Sequence, residues 1–139
     1  IWGLHTMGAE VHVAGPTTLL PRDMSGLPVT VHRRVEPALE GADVVNILRI
    51  QRERQQKGLF PTPREYARIF GINTARLRLA KPDAVVLHPG PMNRGLEIAP
   101  DVAYGECSVI QEQVKNGVAI RMAILYLVLM GGKSIEADN

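Results

Sequence analysis

The sequence predicts an α/β fold: a Rossmann-like, three-layer parallel sheet with helices on both faces. Three observations predict it. Short apolar, β-branched runs alternate with short helical stretches along the first half of the chain. Val44-Val45-Asn46-Ile47-Leu48 is nearly continuous in apolar residues, as a parallel strand covered on both faces must be. That run passes without a break into the polar cluster Arg49-Ile50-Gln51-Arg52-Glu53-Arg54, and the carboxyl ends of parallel strands are where open α/β sheets bind ligands.

In order along the chain, Ile1 to Gly8 reads as the later part of a helix ending at a glycine, with no N-cap before it. The expectation is a remnant of an upstream helix, in a chain that is part of a longer protein. Glu10–Ala14 alternates and is predicted as the first strand. Gly15-Pro16-Thr17-Thr18 reads as a turn and N-cap, with a short helix toward Asp23. Val29–His32 is the second strand, and Val35 to Gly41 a helix closed by its glycine. Val44–Arg49 is the third strand. A strand, helix, strand, helix, strand series implies parallel pairing.

Gln55 to Pro63 holds one glycine and two prolines and reads as a loop, of a kind that often serves as a lid. A plain connector fits it equally. Arg64–Gly71 is a helix with its stop, Thr74–Ala80 a second, and Ala84–Leu87 a fourth buried strand. The last long helix spans about Ser108 to Met130. Its second half is apolar nearly all round, so it is expected to be deeply buried or covered by something else.

The chain has 139 residues, enough for one domain with one core, and residues 1–139 are read as a single unit. With 45% hydrophobic residues, 22% charged and a net charge of +2, the composition is that of a folded domain. Its Lys and Arg form no long block, which gives little sign of nucleic-acid binding. The longest apolar run, Ala123 to Met130, is far short of the roughly 20 residues that span a bilayer. No nucleic-acid or membrane partner is therefore expected. The lone Cys107 excludes an internal disulfide and a Cys-based zinc site, and it reads as inert. His5, His12 and His32 show no metal-ligand spacing and are read as structural or surface groups. No dinucleotide fingerprint, Walker A loop or nucleophile elbow is present.

The site-carrying stretches lie at two strand ends. Residues two apart in a strand share a face, so Arg49 and Gln51 are expected to point the same way. A five-donor guanidinium beside an amide is suited to gripping a carboxylate, so the pair is a candidate site for an acidic small molecule. A solvated strand end with surface ion pairs is equally consistent with these residues alone. Glu53, four residues on, is placed to orient Arg49 if the chain turns helical. The fourth strand opens into His88-Pro89-Gly90-Pro91-Met92-Asn93-Arg94-Gly95. Two prolines around a glycine stiffen that turn, and Gly90–Pro91 is a candidate cis bond that would aim carbonyls at a ligand. His88 is the best placed of the histidines, although a packed side chain fits there too.

These stretches, with Phe70-Gly71, Ala80-Lys81-Pro82-Asp83-Ala84 and Ser108 to Arg121, resemble the aspartate carbamoyltransferases. The similarity is to the carboxyl-terminal, aspartate-binding half of the catalytic chain and covers nearly the whole sequence. Ornithine carbamoyltransferases share the fold but lack the Arg-x-Gln-x-Glu-Arg pattern, and typically have His-Cys-Leu-Pro where this chain has His-Pro-Gly-Pro. The resemblance implies one domain of a two-domain transcarbamoylase. It also implies carbamoyl transfer from carbamoyl phosphate to L-aspartate in pyrimidine synthesis, in the cytoplasm and without a cofactor. By it, Arg49 grips an aspartate carboxylate and Gln51 assists. Glu53 orients Arg49 and helps tie the two domains together, with Arg54 as a further interdomain link. Gly90 and Pro91 offer carbonyls to the reacting groups. The family's carbamoyl phosphate residues, its Ser-Thr-Arg-Thr loop among them, come from an amino-terminal domain and a neighbouring subunit of a homotrimer. None occurs here, so the chain by itself is expected to be inactive. A regulatory chain or another pyrimidine enzyme is a further partner the resemblance leaves open. The alternative reading is a non-catalytic domain of the same fold that binds acidic ligands or a partner.

Overall fold

The computed structural model describes residues 1–51 and 62–130. Four strands, β1 (His12–Ala14), β2 (Thr30–His32), β3 (Val44–Asn46) and β4 (Val85–Leu87), pair in parallel as β1 with β2 and β3 with β4. The α/β class and parallel pairing agree with the sequence reading. The strands are shorter than expected, because the third ends at Asn46 rather than Arg49. Its ladder runs one step further, with Ile47 N–H donating to Leu87 O at 2.9 Å.

β4 is the most enclosed strand. Its other edge meets residues 107–109: Val86 N–H donates to Cys107 O, and Val109 N–H donates to Val86 O. Val86 is fully buried, with Val45, Ile47, Ala84, Ile98, Val102 and Ile110 around it. A smaller cluster of Ile50, Tyr66 and Leu96, flanked by Leu19 and Phe70, lies under the candidate site.

The helices follow their local signals. α1 (Trp2–Thr6) is followed by Gly8 in the left-handed region, φ +84°. α2 (Glu36–Leu39) ends before Gly41, φ +68°, where the expected closing glycine sits. α3 (Pro63–Phe70) begins with proline in its first turn, and Thr62 Oγ1 accepts from Glu65 N–H. α4 (Thr74–Leu77) is capped by Asn73, whose Oδ1 accepts from Arg76 N–H. α5 (Pro100–Ala103) was not foreseen; four residues are too few to carry a helical period. The helix expected toward Asp23 does not form. Residues 17–19 form a turn and 20–23 bends and irregular chain, and the Asp23 carboxylate accepts from the Ser25 N–H and hydroxyl.

Arg76 ties three of these helices together. Its guanidinium donates to Glu36 Oε1 at 3.0 Å, to Gly71 O at 2.6 Å and to Arg68 O at 2.9 Å. Thr74 donates to Asp101, joining α4 to α5.

α6 (Ile110–Leu129) is the long element the sequence predicts, and only Ile110 of it is buried. Ile120, Met122, Leu125, Leu127, Val128 and Leu129 are each at least 60% exposed. The expectation of deep burial within the chain is therefore overturned, leaving the other expectation, a helix that something else covers.

Candidate functional site

Parallel pairing of β3 and β4 delivers two chain segments to the same end of the ladder. Residues 49–51 leave β3, and residues 88–91 leave β4. Ile50 is buried in the Tyr66–Leu96 cluster, while Arg49 and Gln51 on either side of it are half-buried. In extended backbone, flanking a buried residue sends both neighbours to the opposite side. The burial pattern Val45, Ile47, then Ile50 shows that the alternation shifts by one beyond the ladder. The pairing of Arg49 with Gln51 is thus set around Ile50, not by the strand itself.

At the second strand end, Gly90–Pro91 is a cis bond, with Gly90 at φ +62°. Gly90 N–H donates to His88 Nδ1 at 2.9 Å. With Nδ1 accepting, the remaining nitrogen, Nε2, carries the proton and donates to Glu97 Oε1 at 3.2 Å. His88 N–H donates to Gln113 Oε1, fixing the strand exit to the first turn of α6. Glu97 Oε1 also accepts from Asn93 N–H at 2.6 Å, and Asn93 Nδ2 donates to Ile50 O at 2.9 Å. This chain of bonds joins the proline turn to the segment carrying Arg49 and Gln51.

His88 and Glu97 are both essentially without solvent contact, at 0% and 1%. Glu97 is held in place by backbone on both sides: Ile72 N–H donates to Glu97 O, and Ala99 N–H donates to Ile72 O. Its second oxygen, Oε2, has no hydrogen-bond partner among the described residues. Burial raises the Tyr66 phenol to about 12, with the nearby Glu97 charge adding to the effect.

Of the six residues singled out in the sequence, the structure places Arg49, Gln51, Gly90 and Pro91 at adjoining strand ends. Glu53 and Arg54, and the part of the proposed lid up to Pro61, lie outside the described residues. His88 is a packed side chain whose ring bonds to the proline turn. Sequence reasoning passed over Glu97 and gave Asn93 no role. The available signal was a carboxylate set in the apolar stretch Leu96-Glu97-Ile98-Ala99.

Elsewhere, His12 Nδ1 lies 2.9 Å from His32 Nε2, with Glu10 on the other nitrogen of His12. Among the described residues no three His, Cys, Asp or Glu side chains are grouped to hold a metal ion. A cleft of about 270 Å³, lined by His5, Glu10, Val11 and Thr30 among others, opens at the amino-terminal ends of β1 and β2. It shares no residue with the strand-end cluster.

The sequence profile described as "Aspartate/ornithine carbamoyltransferase, Asp/Orn binding domain" matches residues 1–128. The chain is 65% identical, over its full length, to the aspartate carbamoyltransferase catalytic subunit of Desulforamulus reducens, of which it spans 44%. It is 64% identical over 96% of its length to that of Heliobacterium modesticaldum, spanning 43% of it. The chain thus covers less than half the length of these relatives. Among solved structures, ornithine carbamoyltransferase from Pyrococcus furiosus superposes with a TM-score of 0.73 at 27% identity, covering 90% of this chain and 43% of that one. Aspartate transcarbamoylase from Trypanosoma cruzi, in complex with carbamoyl aspartate and phosphate, gives 0.64 at 26% identity, covering 84% and 39%.

Proposed function

Because the chain belongs to the aspartate/ornithine carbamoyltransferase family, as its Asp/Orn-binding domain, we propose that it forms the L-aspartate side of an aspartate carbamoyltransferase active site. The observation that carries the reading is the junction of the two strand ends. Arg49 and Gln51 flank Ile50, and the Ile50 carbonyl is bonded to Asn93 in the loop that follows Gly90–Pro91. High identity to catalytic subunits named for aspartate favours aspartate over ornithine.

In this mechanism the Arg49 guanidinium takes an aspartate carboxylate, with the Gln51 amide beside it. A planar fork of donors matches a carboxylate in a way an ammonium cannot. Glu53 orients Arg49, and Arg54 joins this domain to the one carrying carbamoyl phosphate. The Gly90 and Pro91 carbonyls accept from the aspartate amine and the carbamoyl NH2, fixing the line of attack. The amine lone pair forms a bond to the carbamoyl carbon, the carbon–oxygen bond to phosphate breaks, and the amine loses one proton. The products are N-carbamoyl-L-aspartate and phosphate. Positioning and charge stabilisation carry the reaction, and no metal or organic cofactor has a step in it. An amino-terminal domain supplies the carbamoyl phosphate residues and covers the apolar side of α6. The catalytic chains assemble as a homotrimer in the cytoplasm.

The test is Arg49→Ala in the complete enzyme, with L-aspartate as the varied substrate. We expect kcat/KM for aspartate to fall by about a hundredfold or more, as for loss of a charge-assisted paired contact, with the circular dichroism spectrum unchanged. An unaltered aspartate response refutes the assignment.

A further inference from the structure

We infer that Glu97 is a positioning residue that holds both arms of the site in register. One carboxylate oxygen does this. Glu97 Oε1 accepts from His88 Nε2 at 3.2 Å and from Asn93 N–H at 2.6 Å. Through His88 it sets the turn, because His88 Nδ1 accepts from Gly90 N–H. Through Asn93 it sets the other arm, because Asn93 Nδ2 donates to the Ile50 carbonyl between Arg49 and Gln51. The two arms come from strands some forty residues apart in sequence, and Glu97 is the joint at which their hydrogen bonds meet.

The burial of Glu97 argues against a role in packing alone. It is 1% exposed, sits between the buried Leu96 and Ile98, and leaves Oε2 without a partner among the described residues. A carboxylate taken out of water with one oxygen unpaired is unfavourable, and an apolar side chain would fill the space at lower cost. What an apolar side chain lacks is the shared acceptor. Holding groups at a site in fixed geometry is the work of such supporting bonds, since small displacements cost large factors in rate.

The inference rests on the proposed aspartate site, and its test separates the two. In the complete enzyme, Asn93→Ala cuts only the arm that carries Arg49 and Gln51. It should raise KM for L-aspartate about tenfold, the worth of one hydrogen bond, with kcat within about twofold. Glu97→Leu cuts both arms and should raise KM and lower kcat together. Glu97→Gln keeps an oxygen at the joint and should restore both values to within about threefold of the parent. Loss in Glu97→Gln equal to that in Glu97→Leu, or aspartate kinetics unchanged in Asn93→Ala, overturns the inference. A parent enzyme that does not carbamoylate L-aspartate defeats the functional reading instead. In that event the joint is judged from the crystal structure of Asn93→Ala. A shift of residues 49–51 with residues 88–91 in place supports it, and an unmoved segment overturns it.

Discussion

Tyr66 shows how a single side chain under the site responds to pH. It is 8% exposed, packs against Phe70 at 5.4 Å between ring centroids, and has its phenol raised to about 12 by burial first and by the Glu97 charge second. The unfolded phenol titrates near 10, so between pH 10 and 12 the folded chain holds a proton that the unfolded chain has lost. Stability is fully retained below pH 10 and declines as the pH rises toward 12. Each pH unit of displacement is worth about 1.4 kcal/mol, which makes the loss roughly 2–3 kcal/mol. Tyr66→Phe should lessen the alkaline decline between pH 8 and pH 11, as read by denaturant unfolding, without abolishing it, because Lys81, raised by Asp43, also loses its proton there. At this scale the sequence was only partly legible. The placing of Arg49, Gln51, Gly90 and Pro91 at neighbouring strand ends was legible, because the apolar runs of β3 and β4 mark where those strands stop. Glu97 was not, since a buried carboxylate is distinguished by its partners, and those come from His88 and Asn93, nine and four residues away.

Among the elements, the end of α3 is the most tightly constrained. The sequence marks Gly71 as a helix stop, and a stop it is, but not through the left-handed conformation usual for glycine. Its backbone is extended, at φ −61° and ψ 134°, which any residue adopts. Glycine is required there by space. A Cβ would sit 2.5 Å from the Ala67 carbonyl oxygen and 2.7 Å from that of Leu96. Both are backbone atoms, one in α3 and the other beside Glu97, so relief requires the helix and the loop to part. Gly71→Ala should therefore cost about 2–3 kcal/mol, seen as a lowered denaturation midpoint at unchanged slope. Helices with a cap or closing glycine, such as α2 and α3, were readable from local residues alone. The segment after Gly15 was not: its start closes instead into a tight turn, with Leu19 N–H donating to Pro16 O, and Asp23 bonds Ser25 beyond the expected helix end. The early end of β3 was also hidden, since apolar residues continue past the point where the ladder stops.

For the molecule as a whole, α6 sets the behaviour in solution. It presents Met122, Leu125, Leu127, Val128 and Leu129 to solvent at 60–80% exposure, and clustered exposed apolar side chains favour association. The 139-residue chain alone should self-associate, and sizing chromatography with light scattering should show species heavier than 15.2 kDa that a mild detergent disperses. A monodisperse monomer with a cooperative melt would contradict this. The sequence conveyed that the helix is apolar nearly all round, with no face to spare for water, but left burial within the chain and an outside cover equally open. It also conveyed the α/β class and the parallel sense of the strands, through the order of elements. Which strands would pair was beyond it, as β3 meets β4 across some forty intervening residues.

The last rung between β3 and β4 is the Ile47 amide bonded to the Leu87 carbonyl, immediately before both segments diverge. A small diacid gripping both diverging ends would act as a rivet across a zip already half closed. On the proposed function, such a ligand would stiffen the sheet from its open end inward, toward the scaffold's centre at Val86.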